Sequence, residues 1–242
     1  MPGGFSNKPK ILRGAFVEFG LSLPPLVVVF QFNPLQLTRN RSLTFSVPGW
    51  RQQIENIIAQ SEERQAQSIS LRKFHQENDD LIFIRDNQQV APQEESIGLD
   101  IRLDATDDLN EGDPIVGQFG ILPRLATLEL MVHPKGESLI GQALGALLGS
   151  AGGFSFTKGP NPPMILFIWG PTRVLPVNIN SMNITETEFN TLLNPIRATV
   201  AVNLTVIEGK NIPYTYSKAV KEAMSVLNLA NITEVAEVVI PG

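Results

Sequence analysis

The chain contains no cysteine. Disulfide staples, thiolate metal sites and a cysteine nucleophile are therefore excluded, a pattern that fits a cytosolic product. Histidine is almost as scarce. His75 and His133 are the only two, and neither has a second histidine within a helical turn, so no imidazole-based metal site is expected. Positive charge is not in excess: the formal net charge is −5. The one dense basic stretch is Arg39-Asn40-Arg41, too short to track phosphates, and nucleic acid is not an expected partner. Long hydrophobic runs are missing as well. The two longest, residues 21–32 and 139–151, fall short of the roughly 20 residues that span a bilayer. The first is broken by Pro24-Pro25 and the second by glycines, so no direct membrane insertion is expected. The opening residues 1–8 lack an apolar h-region, and no export signal is expected.

What is present reads mainly as strands. The 242 residues are 43% hydrophobic and 18% charged, enough apolar matter to bury a core. Ile97, Leu99, Ile101 and Leu103 alternate with Gly98, Asp100, Arg102 and Asp104, the period of a sheet with one wet face. Val200, Val202, Leu204 and Val206 repeat that pattern. Residues 164–169 form a continuous apolar run suited to a strand covered on both sides. Residues 15–19 and 27–32 predict an opening hairpin with its turn at 20–25. Residues 125–132 and 174–179 add two further strands. About seven strands separated by turn signals are enough for a barrel or a two-sheet sandwich.

Three helical patterns interrupt the strands. Residues 52–72 carry Ile54, Ile57, Ile58 and Ile69 among many Gln and Glu side chains, predicting one amphipathic helix. Residues 138–148 predict a short apolar helix. Ala219, Val220, Ala223, Met224 and Leu227 recur at helical spacing, with Ser217 as the N-cap.

Tests for chemistry return little. The acidic run Asp104, Asp107, Asp108, Glu111 and Asp113 fits no frame of an EF-hand loop and reads as a solvated turn. Gly136 and Gly141 sit in a glycine-rich stretch that lacks the Gly-Lys-Ser/Thr of a phosphate loop. Gly-x-Ser-x-Gly, the nucleophile elbow of many hydrolases, is absent. The expectation is a protein that is not an enzyme and takes no cofactor or metal.

A set of short segments carries more information. Val28-Val29-Phe30-Gln31-Phe32-Asn33-Pro34 is followed far downstream by Pro162-Pro163-Met164-Ile165-Leu166-Phe167-Ile168-Trp169-Gly170, then by Asn194-Pro195-Ile196-Arg197-Ala198. In this order, with the intervening Leu99-Asp100-Ile101-Arg102-Leu103-Asp104, they resemble the tube-domain family of contractile injection systems, which are phage-tail-like particles. The positions that carry the family pattern are Phe30, Phe32, Asn33, Pro34, Pro163, Trp169, Gly170, Pro195, Arg197 and Ala198.

The resemblance implies a mainly β (α+β) fold: a phage tail-tube-like antiparallel β-barrel with peripheral helices. It implies a tube-like domain over residues 1–208, with helical insertions near 52–72 and 138–148, and a short helical extension over 209–242. Family members often end in a LysM module, but residues 209–242 hold no such signature. The function implied is that of a baseplate tube-initiator. It would form a sixfold homo-oligomeric ring between the spike hub and the inner tube, and touch those proteins and other baseplate parts. Assembly in the cytoplasm, into a particle either released or membrane-anchored, goes with that role. The alternative is a small ligand- or carbohydrate-binding β-barrel module, against which the two Trp and two Tyr count as few stacking platforms.

Overall fold

The computed structural model describes residues 12–20, 25–62, 69–133 and 161–229. They fall into two compact units: Met1–Arg39 together with Ser96–Gly242, and Asn40–Glu95.

The larger unit is built on a seven-stranded sheet. Its strands are β1 (Ala15–Glu18), β2 (Val27–Val29), β3 (Leu37–Asn40), β6 (Ser96–Asp104), β7 (Ile165–Ile168), β8 (Val174–Phe189) and β9 (Pro195–Val206), in the spatial order β2-β1-β7-β8-β9-β6-β3. The ladders β1–β2, β1–β7, β7–β8, β8–β9 and β6–β9 are antiparallel. The opening hairpin expected from residues 15–32 is present, as are the two alternating strands. Ile97, Leu99, Ile101 and Leu103 of β6 are buried, and so are Ala198, Val200, Val202, Leu204 and Val206 of β9. Ile165 and Phe167 of β7 are buried too, while Leu166 and Ile168 are only half-buried, so this strand is less fully covered than its apolar run predicts.

Among the described residues no ladder closes the sheet into a barrel: β2 and β3 stand at opposite ends of the strand order. The chain between them nevertheless returns to β6. Phe32 forms an isolated bridge with Arg102. The Gln31 amide donates to Asp104 O (2.6 Å) and accepts from Asp104 N–H (2.9 Å), so a side chain stands in for a strand partner.

Residues 125–132, expected as a strand, belong to helix α6 (Leu122–Leu130). Ile121, Leu125, Leu128 and Met131 are the buried side chains, a spacing of three to four that places them on one helical face. Periodicity alone could not separate helix from strand in so dense an apolar run. Before it come α4 (Thr106–Asn110) and α5 (Pro114–Phe119), which take up the acidic run. Asp113 caps α5 by accepting from Ile115 and Val116 N–H (2.8 and 3.2 Å).

Helix α7 spans Ile212–Leu229, so Ser217 lies inside it and is not its cap. Asn211 takes that role, accepting from Tyr214 N–H (2.9 Å). Ser217 is fully buried and bonds β8 instead, donating to Val174 O (2.8 Å) and accepting from Val174 N–H (3.0 Å).

The insertion expected near 52–72 lies in the smaller unit, Asn40–Glu95. It is not one helix. Helix α1 (Gly49–Ser61) ends before α2 (Leu71–Gln76) begins, with Ser70 accepting from Lys73 N–H as a new cap (3.2 Å). Helix α3 (Leu81–Asn87) and a two-stranded ribbon, β4 (Leu43–Ser46) with β5 (Gln89–Pro92), complete the unit. Phe74 is its buried centre, with Phe83 6.4 Å away and the Arg51 guanidinium 5.7 Å from its ring. The helix expected at 138–148 lies outside the described residues, as does the part of the 209–242 extension beyond residue 229.

Candidate assembly surface

The residues of the family pattern divide between core and surface. Phe30 is fully buried, edge-on to Phe16 with centroids 5.1 Å apart. Ala198 is buried within β9, and Pro195, at the start of that strand, is buried as well. Trp169, whose position at the end of β7 predicts a buried ring, is only half-buried. It stacks on Phe167 at 6.0 Å and leans on Phe30 at 6.5 Å. Gly170 follows with φ of 67°, the left-handed turn its identity predicts. Pro163 is half-buried ahead of β7.

Asn33 works as a clasp. Its carbonyl accepts from Gly14 N–H (2.9 Å) and its amide donates to Leu12 O (2.8 Å). That holds the approach to β1 against the end of the β2 segment. Gly14 cannot be larger, because a Cβ there would lie 2.7 Å from Phe30 Cδ2 and 2.8 Å from Trp169 Cε3.

Phe32 and Pro34 border an open groove of about 740 Å³ on the wet side of the sheet, together with Arg102, Asp104, Thr187 and Arg197. Arg197 sits opposite both Asp104 and Thr187 in the ladders. Its Nε donates to Asp104 Oδ2 (2.8 Å), one terminal nitrogen to Glu188 Oε1 (2.7 Å) and the other to Thr106 Oγ1 (3.1 Å). Burial opposes the charge of Asp104. Hydrogen bonds from the Thr106 hydroxyl and N–H, and the Arg197 charge, outweigh it and hold the carboxyl below its ordinary value. Arg197 is thus committed within its own chain, and so is Arg41, which pairs with the buried Glu95 (3.2 Å).

On β8 and β9 the wet face above this row is uncharged, with Asp100 and Arg102 of β6 beside it. Ser181, Asn183 and Thr185 of β8 lie opposite Asn203, Ala201 and Thr199 of β9, with Asn203 donating to Ser181 Oγ (3.1 Å). Strand β8 is also unevenly partnered. β9 pairs with it as far as Phe189, but β7 reaches only Val174 to Val177. Among the described residues no strand pairs with the outer edge of residues 178–189.

Sequence reasoning did not single out the contacts of Gln31, Asp104, Gly120, Asn190 or Asn194, and it gave Ser217 a capping role in place of its bonds to Val174. Asn190 caps the β8–β9 turn, accepting from Leu192 and Asn194 N–H (both 2.9 Å), while Asn194 donates to Gln118 O (2.7 Å). Paired asparagines around Thr191-Leu192-Leu193 were a turn signal, but their reach to α5 was not legible. Among the described residues, no three His, Asp or Glu side chains gather as a metal site would need, and no helix is long and apolar enough to cross a membrane. No protein-family model matches the chain, and no curated protein matches it.

Proposed function

We propose that this chain is a structural, non-catalytic ring component of a phage-tail-like contractile injection particle. It would sit in the baseplate between spike hub and inner tube, and nucleate tube assembly. The observation that carries the reading is the outer edge of β8. A long strand paired on one side alone is a hazard of uncontrolled pairing unless another chain covers it. A heterologous interface repeated about a closed axis covers one such edge per copy and leaves none at the end. In this reading six copies join their sheets into a continuous barrel-like wall. The small uncharged side chains Ser181, Asn183, Thr185, Thr199 and Asn203 would face a lumen through which cargo passes without being held. The motif resemblance set out above supports the same role, and with it assembly in the cytoplasm.

Native mass spectrometry of the full chain, alone and co-expressed with sheath, tube and spike proteins, tests the proposal. A sixfold species, or its presence in assembled particles, is the expected result. A chain that remains monomeric at high concentration and is missing from every particle overturns it.

The second reading, a small ligand- or carbohydrate-binding module, draws on the groove bordered by Phe32. Phe32 is the sole aromatic among its described lining residues, which offers one stacking surface where sugar sites use several.

A further inference from the structure

A second cleft lies at the opposite end of the strand order. There β2 is an edge strand, and α6 runs beside it. A cleft of about 450 Å³ lies between them, bordered by Arg13, Val27, Val29, Gln31, Arg124 and Thr127.

The ladder parity fixes what β2 presents to this cleft. Glu18 N–H donates to Leu26 O and Phe30 N–H to Gly14 O (both 2.8 Å), and Phe16 lies opposite Val28. Residues 26, 28 and 30 therefore bond inward to β1. The N–H and C=O groups of Val27 and Val29 point outward, because antiparallel bonding alternates from residue to residue. Among the described residues these four groups have no hydrogen-bond partner. The valine side chains beside them are 46% and 54% exposed.

The charge is one-sided as well. Two arginines border the cleft and no carboxylate does. Both lie at its Gln31 end. Arg13 is one step beyond the Gly14–Phe30 pair, and Arg124 donates to Gln31 Oε1 (3.0 Å). Arg124 also pairs with Asp108 (3.2 Å), whereas Arg13 makes no hydrogen bond or ion pair among the described residues. An edge with unmet main-chain groups, a helix as the far wall and a cation at one end are the elements of strand addition.

We propose that the β2–α6 cleft is a β-augmentation site for an extended segment of a partner protein, whose main chain pairs with Val27 and Val29 and whose acidic side chain meets Arg13. β-branched residues would pair beside the two valines, and the carboxylate would lie about two residues beyond Val29, one strand repeat. The inference does not depend on the ring reading, which concerns β8.

The test is fluorescence anisotropy with the full chain and a labelled, end-capped peptide, Ser-Val-Thr-Val-Ser-Glu-Ser. Saturable binding below about 1 mM is expected. It should weaken at least about tenfold with Arg13→Glu, an exposed change whose fold is checked by circular dichroism, and equally when the peptide Glu is replaced by Lys. N-methyl groups on one alternate set of peptide amides should abolish binding, and on the other set should leave it unchanged. Absence of saturable binding, indifference to both charge changes, or equal effects of the two N-methyl sets overturns the proposal.

Discussion

At Gly120 the backbone sits at φ 57° and ψ −133°, a region essentially confined to glycine. A Cβ there would collide with the Pro195 carbonyl oxygen, the same oxygen that accepts from Ile121 N–H (2.9 Å). Gly120→Ala should therefore destabilise the fold by about 3 kcal/mol in urea unfolding, through strain and loss of the α5–β9 junction together. Asp104 gives a pH signature. Its carboxyl is held below the ordinary value in the folded state, so its contribution is present above the unfolded value near 4 and fades as pH falls through the lower folded one. The urea midpoint of Asp104→Asn should lie below that of the parent at pH 7, and the gap should narrow as the solution is acidified below the ordinary carboxylate range. A gap that stays constant down to pH 2 would show that packing, not charge, is what Asp104 supplies. Trp169 is half-buried, so Trp169→Ala should cost about 2–3 kcal/mol, less than the 3–5 typical of a fully buried aromatic.

Two elements are fixed by single polar side chains rather than by ladders. Gln31 ties the chain leaving β2 to the end of β6 through two main-chain bonds and also accepts from Arg124. Gln31→Ala should lower stability by about 1–2 kcal/mol and speed amide exchange at Asp104, whose N–H loses its acceptor. Exchange there at the parent rate would mean the segment is held by Phe32 alone. Ser217 does the same for α7, whose buried hydroxyl bonds both main-chain groups of Val174. The remainder of α7 is weakly covered, with Met224, Val226 and Leu227 each more than half exposed. Ser217→Ala should thus make the helix the first part of the larger unit to open, read as protease cleavage in α7 before any loss of β-sheet signal.

At the scale of the larger unit the governing fact is an antiparallel sheet whose β2 and β8 margins have no strand partner among the described residues. The ring proposal predicts that a charge on the β8 margin acts on assembly and not on folding. Thr185→Lys, on the exposed face, should leave the unfolding midpoint within about 0.5 kcal/mol of the parent while repeating a like charge in every copy of a ring. Loss of the sixfold species with an unchanged monomer fold is the expected outcome. Intact rings carrying the substitution would remove this face and edge from the interface.

Composition and alternation determined that the chain folds around a sheet. β6 and β9 were legible because one face of each is buried and the other wet, which writes a period of two into the residues themselves. The opening hairpin was legible for the similar reason that a turn separates two apolar runs. Helix α6 was not, since its buried and half-buried apolar residues are too dense for a period to stand out. The division of 52–72 into α1 and α2, and the start of α7 at Ile212, were decided by Ser70 and Asn211, whose capping bonds require a chain already in place. Phe30 was readable as a core position from its apolar run, whereas Ala198 was marked only by the family pattern. The clasp of Asn33, the Arg197–Asp104 row and the Gln31 bridge were not readable, because each joins residues distant in sequence that become neighbours only when β1, β6 and β9 come together. Whether a strand is inner or edge is the same kind of property: it depends on the partner it meets, and only the tertiary structure decides that.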